Sequence, residues 1–218
     1  LPASPVVGKL DDMEQAEAKQ WWEERYGQSE RIWSGRPNAR LVEIASDLPA
    51  GRALDLGCGE GGDAVWLAER GWRVVAVDIA DAALARAAEF AASRNVADRI
   101  EFQQHDLSAT FPDGEFDLVS AHFLHSPWEW ERAALLRRAA ALVAPGGTLL
   151  IVDHGEAPPW AEIGHEHVFP SATEVLDGLA LPEAEWERVR VGQATREGQG
   201  PEGQTGTLVD NLIVLRRR

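Results

Sequence analysis

Four glycines in six residues, Gly57, Gly59, Gly61 and Gly62, set the terms for this chain. They follow an apolar run, Arg52–Leu56, that reads as a short buried strand. They precede an amphipathic run, Ala64–Arg70, that reads as a helix ended by Gly71. A strand that passes into a helix through glycines lets the backbone approach a ligand closely, and the helix N-terminus offers N–H groups to it. Such a turn suits the polar part of a nucleotide-like cofactor. Glycines also cost chain entropy that an ordinary turn need not lose.

The spacing Gly57-x-Gly59-x-x-Gly62 fits a dinucleotide fingerprint, so the glycines alone leave the cofactor open. Other residues narrow it. Asp55 stands two places before the first glycine, giving Asp-x-Gly-x-Gly-x-Gly. Asp78 ends the next strand-like run, Trp72–Val77, where a carboxylate can accept from a ribose diol. Asp106 follows a third strand, Ile100–Gln104, within reach of an adenine amine. Taken in order, Leu54-Asp55-Leu56-Gly57-Cys58-Gly59-Glu60-Gly61, Val75-Ala76-Val77-Asp78, His105-Asp106-Leu107, Phe116-Asp117-Leu118-Val119 and Leu142-Val143-Ala144-Pro145-Gly146-Gly147-Thr148-Leu149 resemble the motifs of the class I S-adenosylmethionine-dependent methyltransferases. The resemblance covers residues 35 to 218. It implies a seven-stranded, mostly parallel, doubly wound α/β sheet with a C-terminal antiparallel hairpin. It also implies S-adenosylmethionine as cofactor and S-adenosylhomocysteine as product. Cofactor-binding positions are expected at Trp33, Asp55, Gly57, Cys58, Gly59, Gly61, Asp78, Ile79, Asp106, Leu107, Ala121 and His122. The segment Arg31-Ile32-Trp33-Ser34-Gly35-Arg36-Pro37 is similar to one in the thiopurine and tellurite-resistance branch, where it precedes the first helix near the cofactor.

Residues 1–36 read as an N-terminal arm and helix, a candidate lid, and residues 37–218 as the methyltransferase domain. In the arm, Asp11 or Asp12 is placed to cap a helix that runs to Tyr26 and ends at Gly27. Alternating runs beyond it predict helices over Ala80–Arg94, with Asp81 as cap, and over Trp128–Val143. A further helix starts at Ser171, with Glu174 completing a capping box. The chain closes with strand-like runs Trp186–Val191 and Thr207–Leu215, separated by a Gly/Gln-rich segment that reads as a loop.

In an open α/β sheet the acceptor approaches the carboxyl ends of the strands. His125 follows the fourth strand and His154 the fifth, so both are candidate catalytic residues facing the acceptor. Pro158-Pro159-Trp160 and Phe169 read as a lid over the same edge. His165-x-His167 lacks the i, i+4 spacing of a helical zinc site and no cysteine cluster supports it, so no metal is expected. Cys58, between two glycines, fits a small-residue position better than a nucleophile.

Composition bounds the partners. A formal net charge of −15 argues against nucleic acid as substrate, because phosphate contacts need the opposite sign. The acceptor is expected to be a small molecule. The single cysteine suits a reducing compartment, and no apolar run reaches the length of a membrane span, so a cytoplasmic location is expected. The oligomeric state is left open. Two alternatives stand beside methyl transfer: a nicotinamide-dependent oxidoreductase sharing the glycine spacing, for which the one tyrosine, Tyr26, lies outside the nucleotide motif, and a cofactor-binding protein without turnover.

Overall fold

The computed structural model describes residues 7–28, 34–126, 130–161, 169–200 and 202–218, with the side chains of 7–15 outside the description. The order of elements is α1 (Val7–Gly27), α2 (Ala39–Ala45), β1 (Arg52–Leu56), α3 (Gly62–Glu69), β2 (Arg73–Asp78), α4 (Asp81–Ser93), β3 (Ile100–Gln104), β4 (Phe116–His122), α5 (Arg132–Ala141), β5 (Val143–His154), α6 (Ala172–Leu179), β6 (Trp186–Gln199) and β7 (Thr205–Arg217). The strands form one seven-stranded sheet in the order β3-β2-β1-β4-β5-β7-β6. Strands β1 to β5 pair in parallel, and β7 runs antiparallel to both of its neighbours.

Alternation along each central strand sends successive side chains to opposite faces. Leu54, Leu56, Val75, Val77, Val119, Ile151 and Ile213 meet Leu135, Leu136, Leu176 and Leu179 of α5 and α6. Ala53, Val74, Ala76, Leu118, Leu150, Val152 and Leu212 meet Leu41, Trp66, Leu67, Leu84 and Ala91 of α2, α3 and α4. Both faces are covered, as a mostly parallel sheet requires. The strand order reverses between β1 and β4. That switch point opens a crevice at the carboxyl ends of the strands.

Several local readings change. Helix α1 begins at Val7, ahead of Asp11 and Asp12. Helix α5 spans Arg132–Ala141 instead of Trp128–Val143, and residues 127–129 lie outside the described ones. Asp81 is not the cap of α4: it is the first helical residue, and Ala80, with no side-chain acceptor, occupies the cap. Glu23 of α1 supplies what is missing, accepting from the N–H of Asp81 at 2.7 Å and of Ala82 at 3.1 Å. Lys19 pairs with Asp81 at 2.7 Å, and Tyr26 is buried against Ala80 and Ala83. The capping box at Ser171 and Glu174 is formed.

The largest difference is at the C-terminus. Much of the Gly/Gln-rich segment is strand: β6 runs unbroken to Gln199, and pairing with β7 continues to Gln199↔Thr205. Strand β5 stops at His154, opposite Asp210. The β6–β7 ribbon therefore extends five residues, or about 17 Å at ~3.4 Å per residue, past the edge of the sheet. The Trp160 indole packs onto Gly200, where a Cβ would come within 2.8 Å of the ring.

Candidate functional site

The crevice is built on the turn after β1. Gly57, Gly59 and Gly61 all adopt positive φ, at 70°, 51° and 81°. Gly57 is needed twice over, since a Cβ there would also lie 2.6 Å from Leu124 Cδ1. The turn is tied down from the neighbouring strand. Cys58 donates its N–H to Val77 O at 2.9 Å, and Gly59 donates to Asp78 Oδ2 at 2.9 Å. Asp78 Oδ1 accepts from Ala80 N at 3.0 Å, so this carboxylate fixes the glycine turn and the start of α4 together. Burial pushes the Asp78 carboxyl above its usual range, partly offset by the N–H groups of Ala80 and Gly59. Ile79 packs beside Trp22 and Tyr26 of α1, which brings that helix over the corner expected to take the ribose.

Beneath the turn, Asp55, Asp63 and His122 converge, each offering an atom within 4.8 Å of the others. His122 Nδ1 lies 2.6 Å from Asp63 Oδ2, and Asp63 Oδ1 accepts from Asn38 N at 2.5 Å. Two buried atoms of the cluster, Asp55 Oδ2 and His122 Nε2, have no hydrogen-bond partner. Burial, with the Asp63 charge next, raises the Asp55 carboxyl to about 7. For His122, burial favours the neutral ring, but the Asp63 charge and the bond to it outweigh burial, so the ring keeps its proton above the usual histidine range. Burial also pushes the Cys58 thiol well up, the nearby Asp78 and Asp55 charges adding to it. This thiol is no nucleophile.

His125 and His154 come together. Their rings are stacked with centroids 5.9 Å apart and planes 14° apart. Phe169 meets His154 edge-on at 6.1 Å. Arg132, at the head of α5, donates to Asp153 Oδ1 at 2.5 Å and to Leu124 O at 3.1 Å, clamping the loop after β4 to the end of β5. His125 Nε2 stands 4.0 Å from the same Asp153 oxygen. Burial pushes the His154 ring below the usual histidine range, so it is neutral near pH 7.

Other expected positions are placed less directly. Asp106 Oδ1 accepts from Ser108 N at 2.9 Å and from Ser108 Oγ at 2.6 Å, a local turn at the end of β3. Leu107 and Ala121 are buried in the hydrophobic core. Trp33, His165 and His167 lie outside the described residues. Asp63 went unnoticed in the sequence although it directly follows the last glycine, and nothing local marks its partner 59 residues away.

Comparison with known proteins agrees with this geometry. Residues 53–147 match a family described as "Methyltransferase domain". A thiocyanate methyltransferase of Arabidopsis thaliana is 34% identical over 148 residues, covering 64% of this chain and 65% of that protein. The chain thus spans just under two thirds of that relative's length. Among solved structures, the enzyme described for "Conversion of a Disulfide Bond into a Thioacetal Group during Echinomycin Biosynthesis" superposes with a TM-score of 0.70 at 25% identity, over 91% of this chain and 92% of that one. TehB from Haemophilus influenzae superposes with a TM-score of 0.64 at 18% identity, over 92% of this chain and 67% of that one, and shares the fold. Domain match, strand order and glycine turn coincide: residues 53–147 carry a methyltransferase domain, in a chain similar to the class I S-adenosylmethionine-dependent methyltransferases.

Proposed function

We propose that the protein transfers the methyl group of S-adenosylmethionine to a small-molecule acceptor held at the carboxyl edge of β4 and β5. The observation that carries this reading is the positive-φ glycine turn at the switch point, with Asp55 Oδ2 and His122 Nε2 left unpartnered beneath it. A nucleoside with an amino-acid end fits that arrangement. Its adenosine would lie along Asp78, Ile79 and Asp106, and its polar end would reach Asp55 and His122. When bound, the cofactor supplies a methyl group on a positively charged sulfur; the acceptor's lone pair displaces that sulfur, and S-adenosylhomocysteine leaves.

The chain's part is placement and exclusion of water. The stacked rings of Phe123, His154 and His125 would wall the acceptor side. Neutral His154 is in the form that can take a proton from an acceptor that must lose one. The thiocyanate methyltransferase and the thioacetal-forming enzyme both have names concerned with sulfur, which makes a thiol the first acceptor to test. The net charge of −15 supports a small acceptor over a nucleic acid. Among the described residues no helix is long and apolar enough to cross a membrane, and the single cysteine supports a cytoplasmic setting. Helix α1 would form a cover for the cofactor.

The alternatives have less support. Tyr26, the one tyrosine, is buried between α1 and α4 and cannot serve an oxidoreductase as proton donor. A screen with radiolabelled S-adenosylmethionine over thiols, phenols and amines tests the proposal. Label should pass to at least one acceptor class. Binding of S-adenosylhomocysteine with no transfer in any class would leave a binding protein instead.

A further inference from the structure

Three glycines of the overhanging ribbon are required by space rather than by conformation. Gly198, Gly200 and Gly206 do not adopt positive φ, so their backbones could carry other residues. A Cβ on any of them would nevertheless come within 3.0 Å of a neighbouring side chain. Glycine gives up packing in a strand and marks places where another part of the chain approaches closely. At all three the same side chain approaches. Trp160 ring atoms lie 3.4 Å from where a Cβ of Gly198 would stand, 2.8 Å from that of Gly200 and 3.5 Å from that of Gly206. Pro159 comes to 3.0 Å at Gly206, and Leu208 to 2.3 Å at Gly198. The ribbon is thus cleared of side chains where the indole rests.

The register puts this seat on the face that carries His154. His154 pairs with Asp210, Asp210 with Ala194, Arg196 with Leu208 and Gly198 with Gly206. Side chains alternate along a strand, so these positions share one face. From Asp210 to Gly206 β7 advances four residues, about 14 Å at ~3.4 Å per residue. Residues 155–161 bridge that interval as a strap. The strap leaves β5 directly after His154, and Gly155 donates its N–H to Val209 O at 2.8 Å. It ends in a turn closed by Ala161 N to Pro158 O at 2.9 Å, which turns Pro159 and Trp160 onto the ribbon. Asn211 ties its root: Nδ2 donates to His154 O at 3.4 Å and to Pro170 O at 2.7 Å. Pro170 follows Phe169, the ring that meets His154 edge-on.

Resting on the reading that the acceptor sits at the carboxyl edge of β4 and β5, we infer that Trp160 is a positioning residue for an acceptor with an apolar body. Seated on Gly198, Gly200 and Gly206, it fastens the strap to the ribbon as a fixed wall beside His154. The overhang of β6 and β7 is what provides the seat, since β5 stops at His154. The strap carries Ala157, Pro158, Pro159 and Trp160, and with Phe123 and Phe169 it makes the surroundings of His154 largely apolar. A wall ordered in advance need not be ordered when the acceptor binds. His154 itself is held by the β5–β7 ladder and by Phe123, so loosening the strap acts on acceptor binding and leaves the ring in place.

Label transfer from S-adenosylmethionine to thiophenol and to 2-mercaptoethanol tests this, with S-adenosylhomocysteine affinity measured beside it. Trp160→Ala should raise KM for thiophenol by about fivefold or more and leave kcat unchanged, the mark of lost uniform binding. KM for the polar 2-mercaptoethanol should change less, and Trp160→Phe should recover part of the loss. Gly200→Ala keeps the indole but fills its seat, and should raise KM for thiophenol in the same way. In the Trp160→Ala background it should add nothing, because two changes to one contact do not add. Gln204, also close to that Cβ, is met in both backgrounds and cancels. S-Adenosylhomocysteine affinity should stay that of the parent in every variant. Unchanged KM in both single variants, or effects that add in full, would overturn the positioning role and leave methyl transfer intact. A parent that binds S-adenosylhomocysteine but labels neither thiol would remove the thiol reading of the site, and this role with it.

Discussion

The ring of His154 lies on that of Phe123, centroids 4.4 Å apart and planes 29° from parallel. A histidine held so against an apolar face, at the end of β5, loses hydration for its charged form and stays neutral below the pH at which a free imidazole would protonate. If His154 takes the acceptor's proton, kcat/KM for a thiol acceptor should hold as pH falls through 6.5 and decline only below it. His154→Ala should lower kcat/KM by about 10²-fold or more, the usual scale of a general base. His125→Ala, removing a half-exposed ring, should cost less. Unchanged rates in both variants would place the acceptor elsewhere.

Asp78 has two duties in one side chain. Both oxygens already hold backbone N–H groups, of Gly59 and Ala80, before any ribose arrives. Asp78→Ala should therefore weaken S-adenosylhomocysteine binding by about 1–3 kcal/mol and lower the stability of the free protein as well. Calorimetry and chemical denaturation separate the two effects. Loss of affinity with no loss of stability would mean that the glycine turn does not depend on this carboxylate.

Asp55 sets a conflict between stability and binding. Its folded-state value, about 7, lies above that of an unfolded aspartate, so the folded protein holds an extra proton between about pH 4 and 7. The sign follows: this group makes the free protein less stable as pH rises through that window. Asp55→Asn should raise stability at pH 8 by about 1–3 kcal/mol and weaken cofactor binding. A variant less stable than the parent at pH 8 would show that the Ser120 hydroxyl and His122 outweigh the cost of burying the charge.

Asp210 should behave in the opposite way. At 1% exposed it accepts from Arg40 Nε at 3.1 Å and Arg196 Nε at 2.8 Å, joining α2 to the ribbon of β6 and β7. Removing it leaves Arg40, itself buried, without that counter-charge. Asp210→Ala should cost about 3–5 kcal/mol by denaturant titration. A cost below 1 kcal/mol would mean that water reaches the guanidinium groups.

Helix α1 provides the last test. Glu23→Ala removes acceptors from two N–H groups at the head of α4, a loss of about 0.5–2 kcal/mol by analogy with a helix cap. Deuterium exchange of residues 16–27 with and without S-adenosylhomocysteine then distinguishes cover from scaffold. Protection that rises with ligand identifies a cover. Equal protection in both states identifies a fixed helix.

What could be read in advance was what short-range pattern encodes. Period-two strands, the glycine turn and the Ser171–Glu174 box each involve residues within a few places of one another. The misreadings share a long-range cause. Glu23 caps a helix 58 residues away, so Asp81 looked like the cap from its neighbours alone. The segment after Val191 is glycine- and glutamine-rich and has weak strand propensity. It is strand because every residue from Gly192 to Gln199 has a partner on β7. The Asp63–His122 pair depends on α3 and β4 meeting, which no local window contains.

Strand β6 is one of the two outer strands of the sheet, and a row of unpaired backbone groups there could template another chain. Glu187, Arg188 and Arg190 stand exposed along it, and the register shifts between Arg188 and Arg190 with Val189 bulged outward at 50% exposure. Charges of both signs and a kink make a poor template for strand addition. The border that carries the protruding ribbon is thus shielded from edge-to-edge aggregation by its own side chains. Replacing Arg188 and Arg190 with threonine would leave a smoother border, open to recruitment by unfolded segments of neighbouring molecules.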